Sequence, residues 1–297
     1  MTTRIGLMFA GQGAQHPGMG LALSQSSPAA AKVFDEADRI LGWKLSELCF
    51  QGPQEELTAC AHCQPAIFVT SLAALAARRE TPSAEEEFVM AGGLSLGEVT
   101  AVTAAGMVDF EHGLKMVARR GELMDECCRR TQGAMLAVIG APDEALEEVC
   151  RNHGIQVANY NCPGQRILSG EKNAVEAAAK DLEGVAMKTQ LLEVAGAYHS
   201  PLMQEAAEAF RGFLAEIPFE APKMPLVHNV LGGPCEDSRA QIVDLLSRQI
   251  VSPVRWEDCA RAMMGATDAL LELGPGHVLC GLARRIDRRF PAQASDL

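Results

Sequence analysis

The sequence predicts an α/β protein in which a compact βαββαβ unit interrupts a larger domain. Three observations carry this. Two short apolar runs, residues 4–9 and 87–91, each end at a glycine-bounded turn ahead of helix-compatible sequence. From residue 134 the pattern changes to short strands alternating with short helices. A chain of 297 residues that is 48% hydrophobic can also bury the sizeable core such a fold needs.

Residues 4–9 read as a buried strand that stops at Gly11-Gln12-Gly13, where glycine permits a sharp turn. Helix is expected over 28–41, with Val33, Phe34, Ala37, Ile40 and Leu41 on one face, and over 65–79. The second strand, 87–91, runs into Gly93-x-Ser95-x-Gly97. That spacing matches a nucleophile elbow, a strained strand-to-helix turn that lifts a serine oxygen clear of its sheet. The following helix is expected to stop at Gly106, and Asp109 can cap the next, which runs to about Arg130. Then come a strand at 134–139, a helix at 143–152, strands at 155–160 and 165–169, a helix at 172–183 and a strand at 185–191. This order fits a ferredoxin-like module inserted between two parts of a larger domain. After it Ser200-Pro201 opens a helix, with Leu202, Ala206, Phe210, Phe213 and Ile217 at helical spacing.

The formal charge of −12 argues against non-specific nucleic-acid binding, which depends on neutralising phosphates with lysine and arginine. The amino terminus, MTTRIGLMFAGQG, lacks the long apolar region of a signal peptide, and no apolar run approaches the length of a bilayer span. A cytoplasmic protein with neither membrane nor nucleic acid as partner is therefore expected. The ten cysteines read as reduced, buried thiols. Cys60-x-x-Cys63 lacks the second pair that a zinc site would want, so no metal is expected. Arg284, Arg285, Arg288 and Arg289 form a basic helical patch whose first reading is a solvated face.

Serine is a poor nucleophile unless a base takes its proton, so Ser95 needs a histidine from elsewhere in the chain. His199, in GAYHSPLM, is the best candidate because it sits just before a helix start in a loop flanked by Gly196. His16, His62, His112, His153, His228 and His277 fall in polar loops or on helix faces without this setting. An oxyanion hole needs backbone donors. Leu96, at the start of the helix after the serine, supplies one N–H, and the turn at Gln12 could supply the other if strands 4–9 and 87–91 are neighbours. Arg120 is the most specific clue. At about 100° per residue it falls in the middle of the apolar face formed by Met116, Val117, Met124 and Cys127. A buried guanidinium without a partner is costly, so it should face an anion, either a structural carboxylate or a substrate carboxylate.

Taken together these residues resemble the malonyl-CoA:acyl-carrier-protein transacylases over nearly the whole chain. The matching segments are GQGAQ at 11–15, CQPAIF at 63–68, GLSLGE at 93–98, RRGELM at 119–124, NCPGQ at 161–165, AYHSPLM at 197–203, RQIVSPVRW at 248–256 and ELGPGHVLCGL at 272–282. The resemblance implies an α/β-hydrolase-like large subdomain, residues 1–130 and 197–297, with a ferredoxin-like small subdomain at 131–196. It implies Ser95 as nucleophile, His199 as general base, the backbone N–H groups of Gln12 and Leu96 as oxyanion hole, and Arg120 as the grip on the free carboxylate of malonate. The histidine would be oriented by the main-chain carbonyl of Gln249 rather than by an aspartate, and Tyr198 and Asn161 would line the substrate. An aromatic residue at 198 implies crowding of an α-methyl group, hence a preference for malonyl over methylmalonyl. The implied partners are malonyl-CoA and acyl carrier protein, with no cofactor, in a monomer. Leu94 departs from the histidine that most members carry, which bears on pocket hydration and rate rather than on the reaction; Ala10, where proline is common, should be benign. Fatty-acid synthesis and a discrete polyketide-synthase acyltransferase share this chemistry. A hydrolase using the same Ser-His pair, or a non-catalytic carrier-binding module, are the other readings. The patch at Arg284, Arg285 and Arg288 is a candidate docking site for an acidic carrier protein.

Overall fold

The computed structural model describes residues 2–81, 83–236 and 238–295. In chain order the elements are β1 (Thr3–Phe9), α1 (Leu21–Ser26), α2 (Pro28–Leu41), α3 (Leu45–Gln51), α4 (Gln54–Thr58), α5 (Cys60–Glu80), β2 (Glu86–Gly93), α6 (Leu96–Ala104) and α7 (Phe110–Arg130). They continue with β3 (Gly133–Ile139), α8 (Asp143–His153), β4 (Gln156–Cys162), β5 (Gln165–Glu171), α9 (Lys172–Asp181) and β6 (Lys188–Leu191). The chain then forms α10 (Gln204–Ala215), α11 (Arg239–Gln249), α12 (Trp256–Ala266), β7 (Ala269–Leu273), α13 (Val278–Ile286) and β8 (Ala292–Ala294). The fold is α/β, with one parallel and one antiparallel sheet.

The parallel sheet has the order β2-β1-β7-β8. Its central strand β1 is buried from Ile5 to Phe9 because helices cover both faces, which is why it reads as a continuous apolar run rather than an alternating one. The antiparallel sheet has the order β4-β5-β3-β6, with α8 and α9 packed through Leu146, Val149, Val175 and Ala178 onto Leu136, Val138 and Leu168. The antiparallel sheet is tied to the rest of the fold where β4 makes a bridge from Asn159 to Val254, in the segment between α11 and α12.

Several boundaries differ from expectation, each for a physical reason. Helix α5 begins at Cys60, ahead of Pro65, because Asp125 on α7 accepts from the N–H groups of Cys60 (3.1 Å) and Ala61 (2.9 Å) and satisfies donors that the helix start leaves open. Close approach of the two helices permits this: a Cβ on Gly121 would lie 2.3 Å from the Cys60 carbonyl oxygen. The segment after Ser200 opens with a 3₁₀ turn, Pro201–Met203, before α10, with Ser200 Oγ accepting from Leu202 N at 3.3 Å. The last strand of the antiparallel sheet starts at Lys188 rather than 185. One expectation is corrected outright: at 21 residues α5 is long and apolar enough to cross a bilayer. It is buried continuously from Cys63 to Leu75, as expected for a helix that is apolar all round and lies in a core.

Phe9 is in register with Gly93, so the turns after β1 and β2 emerge side by side at the carboxyl edge of the parallel sheet, where open α/β sheets form clefts. The turn into α6 leaves no space for side chains. A Cβ on Gly93 would sit 2.1 Å from the Gly97 carbonyl carbon, and one on Gly97 would sit 2.1 Å from the Phe9 carbonyl oxygen. Gly97→Ala should therefore lower unfolding stability by roughly 3 kcal/mol or more through backbone overpacking. By contrast Gly212→Ala, in α10 with nothing within 4 Å of the added carbon, should raise it by about 1 kcal/mol or less. Urea denaturation of the two variants checks both signs.

Candidate active site

Ser95 stands between β2 and α6 with φ 53° and ψ −104°, a left-handed conformation that a non-glycine residue keeps only when its surroundings over-determine it. Asn229 supplies the restraint. Its Oδ1 accepts from Ser95 N (2.7 Å) while its Nδ2 donates to the Gly93 carbonyl (2.8 Å), so one amide clamps both sides of the turn. Leu96 follows as the first residue of α6, where an N–H has no partner within the helix. Gln12 lies in the neighbouring turn after β1, and a Cβ on Gly11 would come within 2.6 Å of the Leu94 carbonyl oxygen. The strand adjacency required for a two-donor arrangement is thus present.

His199 is brought to the serine by the loop after β6 and, like Ser95, has positive φ (58°). Its Nε2 is 2.8 Å from Ser95 Oγ and its Nδ1 is 2.8 Å from the Gln249 carbonyl oxygen. A carbonyl can only accept, so Nδ1 carries the proton and Nε2 presents its lone pair to the hydroxyl. The Gln156 amide on β4 donates to the carbonyl of His199 and ties the loop to the antiparallel sheet. Burial, and next the charge of Arg120, push the imidazole down to about 4, so it stands neutral near pH 7.

Arg120 projects from the inward face of α7 and is 1% exposed. Nη1 donates to Gln64 Oε1 (2.8 Å), and Nη2 donates to Gln249 Oε1 (2.9 Å) and to Ser95 Oγ (3.1 Å). Among the described residues its Nε, which is buried, has no partner. Burial pushes the guanidinium down to about 10, which leaves it charged near neutral pH. A hydroxyl set between a neutral imidazole acceptor and a buried cation can lose its proton to the first while the second steadies the negative charge that develops.

Tyr198 is buried beside the histidine, and Cys60 Sγ donates to its hydroxyl at 3.0 Å; Gln12 Nε2 donates to the same sulfur at 3.4 Å. Burial holds the Cys60 thiol up at about 12, so it serves as a packing and hydrogen-bonding group rather than a thiolate. Asn161 lies near the end of β4, and its buried Oδ1 has no partner among the described residues. The half-buried Leu94 packs against the core cluster that contains Met8, Met90 and Val227 among others. Among the described residues no cluster of three or more His, Cys, Asp or Glu is arranged to hold a metal ion. Sequence reasoning missed Gln64, Glu98, His228 and Asn229. The two carboxylate oxygens of Glu98 accept from His228 Nδ1 (2.8 Å), Asn229 N (3.2 Å) and Gln249 Nε2 (2.6 Å), all within the core beneath the elbow. The signal available for Glu98 was its place in GLSLGE, the one charged residue of helix α6 and in its first turn.

Comparison with known proteins agrees with this geometry. The acyl transferase domain family matches residues 7–285. The malonyl CoA-acyl carrier protein transacylase of Bacillus subtilis (strain 168) is 38% identical over 295 residues, covering 97% of this chain and 92% of its own. An acyl-carrier-protein S-malonyltransferase from Bartonella henselae superposes with a TM-score of 0.93 at 35% identity, over 100% of this chain and 96% of that one. A malonyl-transacylase solved in complex with a holo type II PKS acyl-carrier protein gives a TM-score of 0.95 at 34% identity, over 99% and 97% of the two chains. With the match spanning nearly its whole length and the similarity held in both sequence and structure, the chain belongs to the acyl transferase domain family.

Proposed function

We propose that the chain transfers a malonyl group from malonyl-CoA to the phosphopantetheine thiol of an acyl carrier protein through a malonyl-serine intermediate. One observation carries this: a buried, charged Arg120 within 3.1 Å of the Ser95 hydroxyl, with Nε unspent. A serine acylated by a neutral chain needs no such cation, whereas a dicarboxylic half-thioester brings a carboxylate to pair with it. Relatives named as malonyl CoA-acyl carrier protein transacylases, and a neighbour solved with its carrier protein, support the same substrate pair.

In the proposed cycle His199 Nε2 takes the Ser95 proton as Oγ attacks the thioester carbonyl. The oxyanion is met by the N–H groups of Leu96 and Gln12. The bond to sulfur then breaks, and coenzyme A leaves with the proton from His199. The carrier thiol enters and gives its proton to His199 Nε2 as its sulfur attacks the malonyl ester; the bond to Ser95 Oγ then breaks, and the imidazolium returns the proton to the serine. Through both halves Arg120 holds the malonate carboxylate and keeps the carbonyl aligned with nucleophile and base. The carbonyl of Gln249 fixes the imidazole, and Tyr198 and Asn161 line the acyl group. The cycle draws on no cofactor; both thioester carriers are substrates. Support for the architectural reading comes from the strand order: a body of residues 1–130 and 197–297 around the parallel sheet reads as α/β-hydrolase-like, and 131–196 as ferredoxin-like. The free thiols fit a reducing, cytoplasmic setting. For carrier docking we favour the exposed Arg284, Arg285 and Arg288 at and just beyond the end of α13.

Three outcomes test this. Ser95→Ala should cut transfer by roughly 10⁴-fold or more and abolish the single malonyl adduct seen by intact-protein mass spectrometry of the wild type. Arg120→Ala should lower the ratio of malonyl to acetyl kcat/KM by roughly 10- to 100-fold, the worth of a charge-assisted contact; an equal fall for both substrates refutes the carboxylate grip. His199 must be neutral to act, so kcat/KM should hold on lowering the pH from neutrality and fall only as it drops through about 4, rather than through the ordinary 6.5.

A further inference from the structure

We propose that Glu98 is a positioning residue for the substrate-gripping cation: its buried carboxylate fixes the orientation of the Gln249 side-chain amide, and that amide fixes Arg120. This rests on the reading of Arg120 as the grip on the malonate carboxylate. The geometry runs as an unbroken line of hydrogen bonds. Glu98 Oε2 accepts from Gln249 Nε2 at 2.6 Å, the same Nε2 donates to the Ser95 carbonyl at 2.8 Å, and the opposite end of the amide, Oε1, accepts from Arg120 Nη2 at 2.9 Å.

An amide has one donor end and one acceptor end. With a carboxylate on one side and a guanidinium on the other, only one orientation is compatible: flipped, Gln249 would set oxygen against oxygen at Glu98 and N–H against N–H at Arg120. The carboxylate therefore reads out as an acceptor aimed at Nη2, three bonds away. Glu98 itself is 1% exposed and held by two further donors, His228 Nδ1 and the Asn229 N–H, so it has no freedom to approach the cation. This division matters for a group that must receive a substrate anion. A carboxylate in direct contact with Arg120 would occupy the guanidinium and compete with malonate. An interposed neutral amide supports the cation while leaving Nε without a protein partner. Two neutral acceptors, from Gln64 and Gln249, then hold Nη1 and Nη2 in place.

The test compares malonyl-CoA and acetyl-CoA as donors for wild type, Glu98→Gln, Glu98→Met, Gln249→Leu and Arg120→Ala. Glu98→Gln keeps an acceptor of the same reach and should hold the malonyl-to-acetyl ratio of kcat/KM within about threefold. Glu98→Met, of similar length but with no acceptor of that strength, should lower the ratio about tenfold, chiefly through KM for malonyl-CoA. It should lower it no further when combined with Arg120→Ala, because the two act on one interaction. Equal losses on both donors, or additive losses in the double variant, would mean a merely structural role and overturn the proposal. If Glu98→Met does not fold, Gln249→Leu decides: it leaves Glu98 and the main-chain acceptor of His199 in place and should show the same loss of ratio, and an unchanged ratio overturns the proposal. Crystal structures separate this from failure of the underlying reading. Should Arg120→Ala leave the ratio intact, the carboxylate grip is wrong. The positioning claim is then judged by whether Nη2 has left Ser95 Oγ in Gln249→Leu; a guanidinium still in hydrogen-bond contact there refutes it.

Discussion

A guanidinium taken out of water sets the terms for everything around it. Arg120 is almost fully buried and still charged, a state that costs several kcal/mol unless neighbouring dipoles replace the lost hydration. The two glutamine oxygens, the serine hydroxyl and, one amide further on, the Glu98 carboxylate perform that replacement. The same charge acts outward. It helps depress the imidazole of His199, which stands unprotonated near pH 7, and it donates to the Ser95 hydroxyl, the proposed nucleophile. One buried cation thus acts on the imidazole and on the serine hydroxyl at once, and in the proposed function it would set substrate choice as well.

The two strained residues complete the arrangement. Ser95 and His199 both have positive φ, and each is tied from more than one direction: Ser95 by the Asn229 clamp and the glycine packing of the elbow, His199 by Gln249 on one side and Gln156 on the other. Because Gln156 lies on β4 and Gln249 ends α11, the histidine is held between the antiparallel sheet and a helix of the larger body. The spacing of Ser95 and His199 therefore depends on how β4 and α11 sit against the turn after β2.

Much of this was legible in the sequence where local pattern and chemistry coincide. The elbow is written in consecutive residues, the inward placement of Arg120 follows from its angle on a strongly amphipathic helix, and the alternation after residue 134 gives the chain order of the strands and helices that build the second sheet. What was illegible depends on distance. Asn229 and Glu98 meet under the elbow across 131 positions of sequence, and nothing local at either marks the partner. His228 reads as a loop histidine yet is fully buried against Glu98. The start of α5 was hidden because Pro65 suggests a first turn, whereas the cap that lets the helix begin at Cys60 comes from Asp125 on another helix. Strand β7, ALLEL, is too short and too leucine-rich to separate from helix by periodicity.

That last strand bears on how the chain reaches its native state. β1 is flanked by β2 and β7, and its partner on the second edge begins only at Ala269. During synthesis the first strand to emerge must wait for nearly the whole polypeptide before both its edges are paired, with the bilayer-like α5 also awaiting α7. Such long-range closure slows folding and leaves a sticky strand edge open to intermolecular pairing in the nascent chain. Truncation anywhere before β7 should therefore yield aggregates rather than a smaller soluble enzyme.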